Sequence, residues 1–372
     1  MFKAYKYRIY PNKEQDEQIQ KTFGCCRFVY NQTLVYKNEN TENGIGKFSY
    51  LSYLRNSLKE SYEWLKDIDK FALENSLINL DTAFQKFYKE HAGYPKFKNK
   101  KDTYKSYTTN CINNDRPHPS IEVSFEDNKI KLPKLKWIKA KVHRKFEGKI
   151  KSVTISQVPS GKYYVSILVE TEHNPMKFTG CMVGIDLGIK DLLITSDGEK
   201  FDNIRTTKKY ENKLAKEQRK LSHKEKGSKN WNKQRIKVAR IHEKISNTRK
   251  DYLHKISHQL VSENQVIVTE DLAVSNMVKN HNLAKAIQDY GWYELTRQLQ
   301  YKSDWNNRQY MKIGRFTKSS QPCHVCGYIN TETKNLAVRE WACPQCGAVH
   351  DRDINAVLTT VHCDSSYEKI FL

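Results

Sequence analysis

Four cysteines near the C-terminal end constrain this chain more than any other feature: Cys323-x2-Cys326-x16-Cys343-x2-Cys346. A glycine follows each pair (Gly327 and Gly347) and permits the tight turn of a metal knuckle. Four thiolates at this spacing suit tetrahedral Zn²⁺, and a set of buried free thiols would not produce the paired spacing and the glycines together. All four ligand positions are filled by protein, which leaves none for a catalytic water and makes the site structural. Cys25, Cys26, Cys111, Cys181 and Cys363 lack such a partner and read as ordinary thiols. In the reducing, intracellular compartment expected of a chain without a signal peptide, the cytoplasm, cysteines serve as free thiols or metal ligands rather than disulfides. The N-terminal Met1-Phe2-Lys3-Ala4-Tyr5-Lys6-Tyr7-Arg8 alternates charge with aromatics and has no continuous apolar stretch, so it does not read as a signal peptide. No run approaches the ~18–20 apolar residues of a spanning helix.

The hydrophobic texture changes several times along the 372 residues, as expected of a chain with two or three domains. Residues 1–10 alternate and read as a strand that stops at Pro11. From Asn12 to about Cys111 the pattern is helical. Leu65, Ile68, Phe71, Leu73, Leu77 and Leu80 recur there at mixed spacings of three and four. A loop, Gly93-Tyr94-Pro95-Lys96-Phe97-Lys98, closes this block. Residues 116–172 hold short alternating runs, such as Val153 to Val158 and Tyr163 to Glu170, broken by Asp127-Asn128, Pro133 and Ser160-Gly161. They predict a small antiparallel, barrel-like β domain, which the N-terminal strand could join. Met182 to Asp186 and Leu192 to Thr195 read as buried strands. Residues 206–262 read as a charged helical hairpin broken near Gly227-Ser228, with Val238, Ile241, Ile245, Tyr252, Ile256 and Leu260 on one stripe. Val266 to Glu270 reads as a further strand.

Two of these apolar strands end in an acid. Asp186 follows Val183-Gly184-Ile185, and Glu270 follows Val266-Ile267-Val268-Thr269. Asp353 opens a predicted helix, Ile354 to Val361, after the cysteine cluster. A carboxylate in an apolar strand is costly to bury unless something pairs with it. Hard divalent cations want several carboxylate oxygens, and two ions ~3.5–4 Å apart can clamp the attacking and leaving oxygens of a phosphodiester. Taken singly, each acid has a plainer reading: an Asp after a strand often forms a turn, and Asp351 or Asp353 could cap a helix.

Charge placement favours the phosphodiester. Lys and Arg number 64 against 42 Asp and Glu, a net charge of +22. A folded basic chain rich in aromatics points to a polyanion, nucleic acid above a membrane surface. Residues 206–255 carry 17 Lys and Arg against five acids, so a net charge of +12 falls in about one seventh of the chain. A solvated helix face would mix signs through i,i+4 pairs. The hairpin residues Lys208, Lys209, Arg219, Lys220, Arg235 and Arg240 are therefore candidate nucleic-acid contacts, as are Lys96 and Lys98 of the aromatic loop.

The order of these motifs resembles the TnpB family, the RNA-guided nucleases of certain insertion sequences, related to compact type V CRISPR effectors. The matching residues are Gly184-Ile185-Asp186-Leu187-Gly188, then Thr269-Glu270-Asp271-Leu272, the two Cys-x2-Cys pairs, and Asp351-Arg352-Asp353-Ile354-Asn355-Ala356. Lys3 to Gln15, Gly24 to Asn31, Pro95 to Lys98 and Ser319 to Cys323 also match, so the resemblance covers nearly the whole chain. It departs after Asn355-Ala356, where Val357-Leu358-Thr359-Thr360 carries no further Asn.

The resemblance implies a multidomain α+β fold. A wedge-like β-barrel would use residues 1–10 and 116–172, with a helical recognition domain inserted at 11–115. An RNase H-like RuvC nuclease domain would use 180–320 and 350–361, interrupted by a zinc ribbon at 321–349, and a tail would follow at 362–372. Asp186, Glu270 and Asp353 would be the three catalytic acids holding two Mg²⁺ (or Mn²⁺) ions, and Cys323, Cys326, Cys343 and Cys346 would hold one structural Zn²⁺. The implied partners are a guide RNA made from the element and double-stranded target DNA bearing a short adjacent motif. One copy would bind each RNA, with a dimer left open, and no membrane would be involved. Nuclease-dead relatives that act as RNA-guided repressors have lost some of the acids, whereas all three are present here. An accessory transposition role is the other alternative. A transposase that joins single strands through a tyrosine would need a His-x-His pair that this chain lacks.

Overall fold

The computed structural model describes residues 1–40, 46–112, 119–188, 191–277, 279, 284, 287, 289–314, 321–335, 338 and 340–362. The chain divides into two compact units, Met1–Glu172 and His173–Leu372. Among the described residues no helix is long and apolar enough to cross a membrane.

The first unit is an antiparallel sheet with helices packed on it. Strand β1 (Phe2–Tyr10) buries Tyr7 and Ile9. Pro11 ends it, and helix α1 (Lys13–Glu39) follows at once. The turn between them is a capping box: the Gln15 N–H donates to Asn12 Oδ1 at 2.8 Å, and the Asn12 N–H donates to Gln15 Oε1 at 3.1 Å. The Gln15 amide also donates to the carbonyls of Leu135 and Trp137, which ties the helix start to the sheet. Helices α2 (Lys47–Tyr53) and α3 (Lys70–Glu90) complete the helical layer. Leu73, Leu77, Leu80 and Phe84 of α3 form a buried stripe at helical spacing and join one core with Ile19, Phe23, Val29 and Leu34 of α1.

The helical texture anticipated to about Cys111 stops at Glu90 in α3, and Lys105–Asn110 is strand β2. Its inward residues are Tyr107 and Thr109, and the Thr109 hydroxyl donates to Asp69, so the buried face of this strand is largely polar. The remaining strands are β3 (Glu122–Ser124), β4 (Lys129–Leu132), β5 (Lys136–Lys141), β6 (Lys149–Gln157) and β7 (Tyr163–Glu170). The sheet order is β2-β6-β7-β1-β5-β4-β3. The N-terminal strand is therefore interior: Phe2 to Ile9 pair with Glu170 to Tyr163, and Arg8 to Tyr10 pair with Lys141 to Lys139.

The second unit is built on a mixed sheet in the order β10-β9-β8-β11-β12. Strands β8 (Met182–Asp186), β9 (Asp191–Thr195) and β10 (Lys200–Asp202) form an antiparallel meander. A helical hairpin follows, α4 (Thr206–Ser222) packed on α5 (Lys229–Glu263). Ser228 caps α5 by accepting from the Trp231 N–H at 3.1 Å. The chain then returns through β11 (Val266–Glu270), parallel to β8. Helix α6 (Trp292–Trp305) leads to β12 (Gln309–Ile313), parallel to β11. Val183, Ile185, Leu193 and Ile267 pack with Leu253, Ile256 and Leu260 of α5 and with Trp292, Leu295 and Leu299 of α6. Of the anticipated α5 stripe all six residues but Tyr252 are buried. Tyr252 is half-buried because its hydroxyl donates to the Asp202 carbonyl at 2.7 Å.

Candidate active site and metal centre

The parallel ladder between β8 and β11 sets the position of the two strand-end acids. Its register runs from Val266↔Met182 to Thr269↔Ile185. One further step places Glu270 beside Asp186, each the last residue of its strand, on strands ~4.8 Å apart. Side chains alternate along a strand, so both acids share the face of Met182, Val266 and Val268. Val266 and Val268 are 0 % exposed, and Met182 is partly buried against them. Asp186 and Glu270 are half-buried. The sheet thus carries each carboxylate to where the apolar layer ends, which lowers the cost of keeping it charged. The carboxyl ends of parallel strands are also where open α/β sheets bind ligands.

Asp353 lies on a helix that packs against the same sheet. Helix α7 (Arg352–His362) packs against β8, β9 and β11, and Asp353 is its second residue. The Asp353 side chain lies outside the described residues. Its neighbour Asp351 is the helix cap, accepting from the Ile354 N–H at 3.1 Å, with Lys200 at 3.8 Å. The capping alternative considered for both acids therefore applies to Asp351. Asp186 and Glu270 thus stand side by side on a rigid ladder, and carboxylate oxygens are the donors that Mg²⁺ and Mn²⁺ prefer.

The four cysteines meet as their spacing predicts. Their Sγ atoms all lie within 4.8 Å of one another, with Cys323–Cys346 at 3.7 Å and Cys326–Cys343 at 3.5 Å. A tetrahedral thiolate site with ~2.3 Å metal–sulfur bonds has sulfurs ~3.8 Å apart, so the set fits a single zinc-sized ion. The two knuckles are alike. The Gly327 N–H donates to the Cys323 carbonyl and the Gly347 N–H to the Cys343 carbonyl, at 2.8 and 2.9 Å. Gly327 and Gly347 have φ of +78° and +75°, a conformation that disfavours other residues. Burial raises the Cys343 thiol, but the backbone N–H groups of Cys346 and Gln345 and the neighbouring Cys326 and Cys346 thiols bring it down to about 7, while Cys326 and Cys346 are themselves pushed up, as expected when close thiols share their protons. Strands β13 (Glu340–Ala342) and β14 (Val349–Asp351) pair beneath the second knuckle and run directly into α7.

Sequence reasoning missed the part played by three residues around this cluster. His350 is buried, with Nε2 3.0 Å from Cys323 Sγ and its ring against Trp341 and His324. Burial, with His324 nearby, holds its imidazole below the usual histidine range. Asn355 and His324 join α7 to the first knuckle: the His324 N–H donates to Asn355 Oδ1 at 3.1 Å. The contacts to the first knuckle span 26 to 31 positions, and no local pattern announces them.

The basic candidates separate by environment. Lys208, Lys209, Arg219 and Arg240 are exposed on the hairpin, and Arg235 is half-buried. Lys220 is exposed but 2.9 Å from Glu217. In the aromatic loop Lys96 is exposed. The Lys98 backbone is clamped by Asn31 through two hydrogen bonds, and its ammonium lies 4.1 Å from the centre of the Tyr30 ring. The remaining thiols behave as read. Cys26 donates to the Ala72 carbonyl at 3.2 Å, and burial pushes Cys25 up to about 11. Cys363 lies outside the described residues.

Comparison with known proteins places this geometry in context. A family model described as "Probable transposase" matches residues 166–281. A "Helix-turn-helix domain" model matches residues 1–46, and a "Cas12f1-like, TNB domain" model matches residues 292–359. Residues 1–40 form one strand and one helix here, so the second description does not transfer as a geometry. A Streptomyces pristinaespiralis protein named "Putative RNA-guided DNA endonuclease" is 38 % identical over 364 residues, covering 95 % of this chain and 87 % of the relative. An Escherichia coli K12 protein, "Putative RNA-guided DNA endonuclease InsQ", is 35 % identical over 376 residues, covering 95 % and 90 %. Among solved structures, the protein chain of a Cas12f1–sgRNA–target DNA complex superposes with a TM-score of 0.64 at 13 % identity, over 97 % of this chain and 98 % of that one. The fold is therefore Cas12f-like, multidomain and mixed α/β.

Proposed function

The chain belongs to the TnpB family, and from that premise we propose that it is an RNA-guided DNA endonuclease of an insertion sequence. The observation that carries the catalytic part is the placement of Asp186 and Glu270 at the ends of adjacent parallel strands. In this reading the unit from His173 onward is a RuvC-like nuclease with an RNase H-type sheet, and residues 321–349 form a zinc ribbon within it. Residues 1–172 combine a wedge domain and a helical recognition domain. Asp186, Glu270 and Asp353 supply carboxylate oxygens to divalent ions, Mg²⁺ or Mn²⁺. Those ions, when bound, provide the positive charge that phosphodiester hydrolysis requires at the attacking and leaving oxygens. The rigid β8–β11 ladder fixes two of the three acids before any ligand arrives, which limits reorganisation during the reaction.

The hairpin α4–α5 has the complementary task. Its exposed cations hold the phosphate backbone of an RNA–DNA heteroduplex or of the scaffold RNA, while guide pairing reads the sequence. A short motif beside the target marks where the duplex opens. The four-cysteine cluster holds one Zn²⁺ and keeps the β13–β14 hairpin and the start of α7 in register. The protein would act in the cytoplasm on its element-derived RNA and matched DNA.

The test is cleavage of a guide-matched plasmid by the purified ribonucleoprotein. The parent should cut in Mg²⁺, and Asp186→Ala should lose at least ~100-fold in rate with guide RNA binding unchanged. Parental cutting by Asp186→Ala would overturn the active-site assignment. Binding of the matched target without cutting by the parent would instead indicate a repressor.

A further inference from the structure

Asn355 sits two residues after Asp353 on α7, but its side chain belongs to the metal cluster's end of the molecule. It is 1 % exposed, so every hydrogen bond it makes is made to protein. Its Oδ1 accepts from the His324 N–H at 3.1 Å and lies 3.0 Å from His324 Nδ1. Its Nδ2 donates to the Pro322 carbonyl at 2.7 Å. One turn later Thr359, also buried, donates to the Asn355 carbonyl at 2.8 Å and reaches the Pro322 carbonyl at 3.3 Å. Pro322 and His324 are the residues on either side of Cys323, whose Sγ is one corner of the four-cysteine cluster. The knuckle therefore grips α7 through backbone groups on both flanks of a metal-ligating cysteine. A side chain that satisfies a donor and an acceptor at once fixes orientation as well as distance.

We propose that Asn355 is a positioning residue that couples occupancy of the four-cysteine site to the placement of Asp353, so that the structural metal sets the affinity of the catalytic one. The proposal rests on the reading of Asp353 as a catalytic metal ligand. The coupling runs along a short path: metal, Cys323, its two flanking peptide groups, Asn355, and the first turn of α7. Coupling between two binding sites is reciprocal. Loosening the link must therefore weaken retention of the structural metal as well as binding of the catalytic one.

Two measurements on the ribonucleoprotein test this. The first is the Mg²⁺ concentration that half-saturates single-turnover cleavage. Asn355→Ala should raise it by roughly 10-fold, with guide RNA and target affinity unchanged. A role in overall stability alone would lower the fraction of active protein and leave the midpoint of the surviving fraction where it was. The second needs no cleavage: with Mg²⁺ present and target DNA left out, release of zinc to a chromophoric chelator should be about 10-fold faster in Asn355→Ala. An unchanged Mg²⁺ midpoint, or an unchanged release rate, overturns the proposal. If Asn355→Ala does not accumulate as folded protein, Asn355→Asp keeps the acceptor for His324 and loses the donor to Pro322. It should shift both readings in the same direction, and parental values for it overturn the proposal equally. Asp353→Ala separates the premise from the inference. Parental cutting by Asp353→Ala refutes the active-site reading itself, whereas an inactive Asp353→Ala beside a parental Asn355→Ala refutes only the link.

Discussion

Neutralising the exposed cations of the hairpin should flatten the salt dependence of RNA binding by a calculable amount. The structure selects four of the eight basic candidates, Lys208, Lys209, Arg219 and Arg240, because they are exposed on α4 and α5. Lys220 is set aside for its contact with Glu217 at 2.9 Å, and Lys98 for its seat on Tyr30. Each phosphate contact contributes ~0.7 (single strand) to ~0.9 (duplex) to the slope of log affinity against log salt. Replacing all four by Gln should therefore reduce the slope by about 3 to 3.5. Between roughly 50 and 200 mM salt, parental affinity should fall about 50- to 150-fold further than that of the quadruple variant. Fluorescence anisotropy with labelled guide RNA over that range measures both slopes. The substitutions are on the surface, so stability should stay within ~0.5 kcal/mol per site. Lys255→Gln, whose ammonium already faces Asp251 at 2.9 Å, is the control and should leave the slope nearly unchanged. A slope reduced by less than about 1 in the quadruple variant would refute the assignment of this face to RNA.

Two further outcomes follow from the metal cluster and from the strand that carries Asp186. Metal analysis should find one zinc per chain at pH 7, and the metal should be lost as pH falls toward about 5, since binding requires four thiolates and protons compete for them. Cys346→Ser should lose it at neutral pH, and full retention in either case would remove these cysteines as the ligand set. Gly188→Ala tests the turn after β8. A Cβ at Gly188 would stand 2.9 Å from the Asp191 carbonyl oxygen, closer than real Cβ contacts allow, so the turn must shift. We expect a loss of ~1–3 kcal/mol in chemical denaturation. On the metal-holding role proposed for Asp186, two residues away, cleavage should slow by roughly 10-fold, because small displacements at a reacting centre are expensive. Guide RNA binding should be spared; parental stability and cleavage together would show that the turn is not tightly packed.

The strands that carry acids could be read from sequence because their burial is complete on the apolar side and ends abruptly. Val266, Ile267 and Val268 are each 0 % exposed, and a charge directly after such a run has few structural explanations. The knuckles were legible because metal geometry imposes short, regular spacing. Strand β2 was not, since a face made of Tyr107 and a Thr109 bonded to Asp69 carries no apolar alternation. Strand β12 was likewise lost in a mixed segment: Gln309–Ile313 pairs only through a parallel ladder to residues 43 positions earlier. The same limit hid the roles of Asn355 and His350. Their chemistry is plain only when α7 and the first knuckle are seen together, and sequence separation conceals that meeting.

The interior place of β1 governs how this chain must be made. Its residues pair with β5 129 to 133 positions later, from Tyr10↔Lys139 to Arg8↔Lys141, and with β7 154 to 168 positions later, from Ile9↔Tyr163 to Phe2↔Glu170. At a synthesis rate of ~5–20 residues per second, the first strand waits about 6 to 27 s for β5 and about 8 to 34 s for β7 to emerge from the ribosome. Helices α1 and α3 can form meanwhile from local contacts, but the sheet that anchors them cannot close. Nascent chains of this protein therefore spend a large part of their synthesis with an unpaired strand exposed. Yield in the cell should depend on translation speed and chaperone capacity more steeply than the stability of the finished fold would suggest.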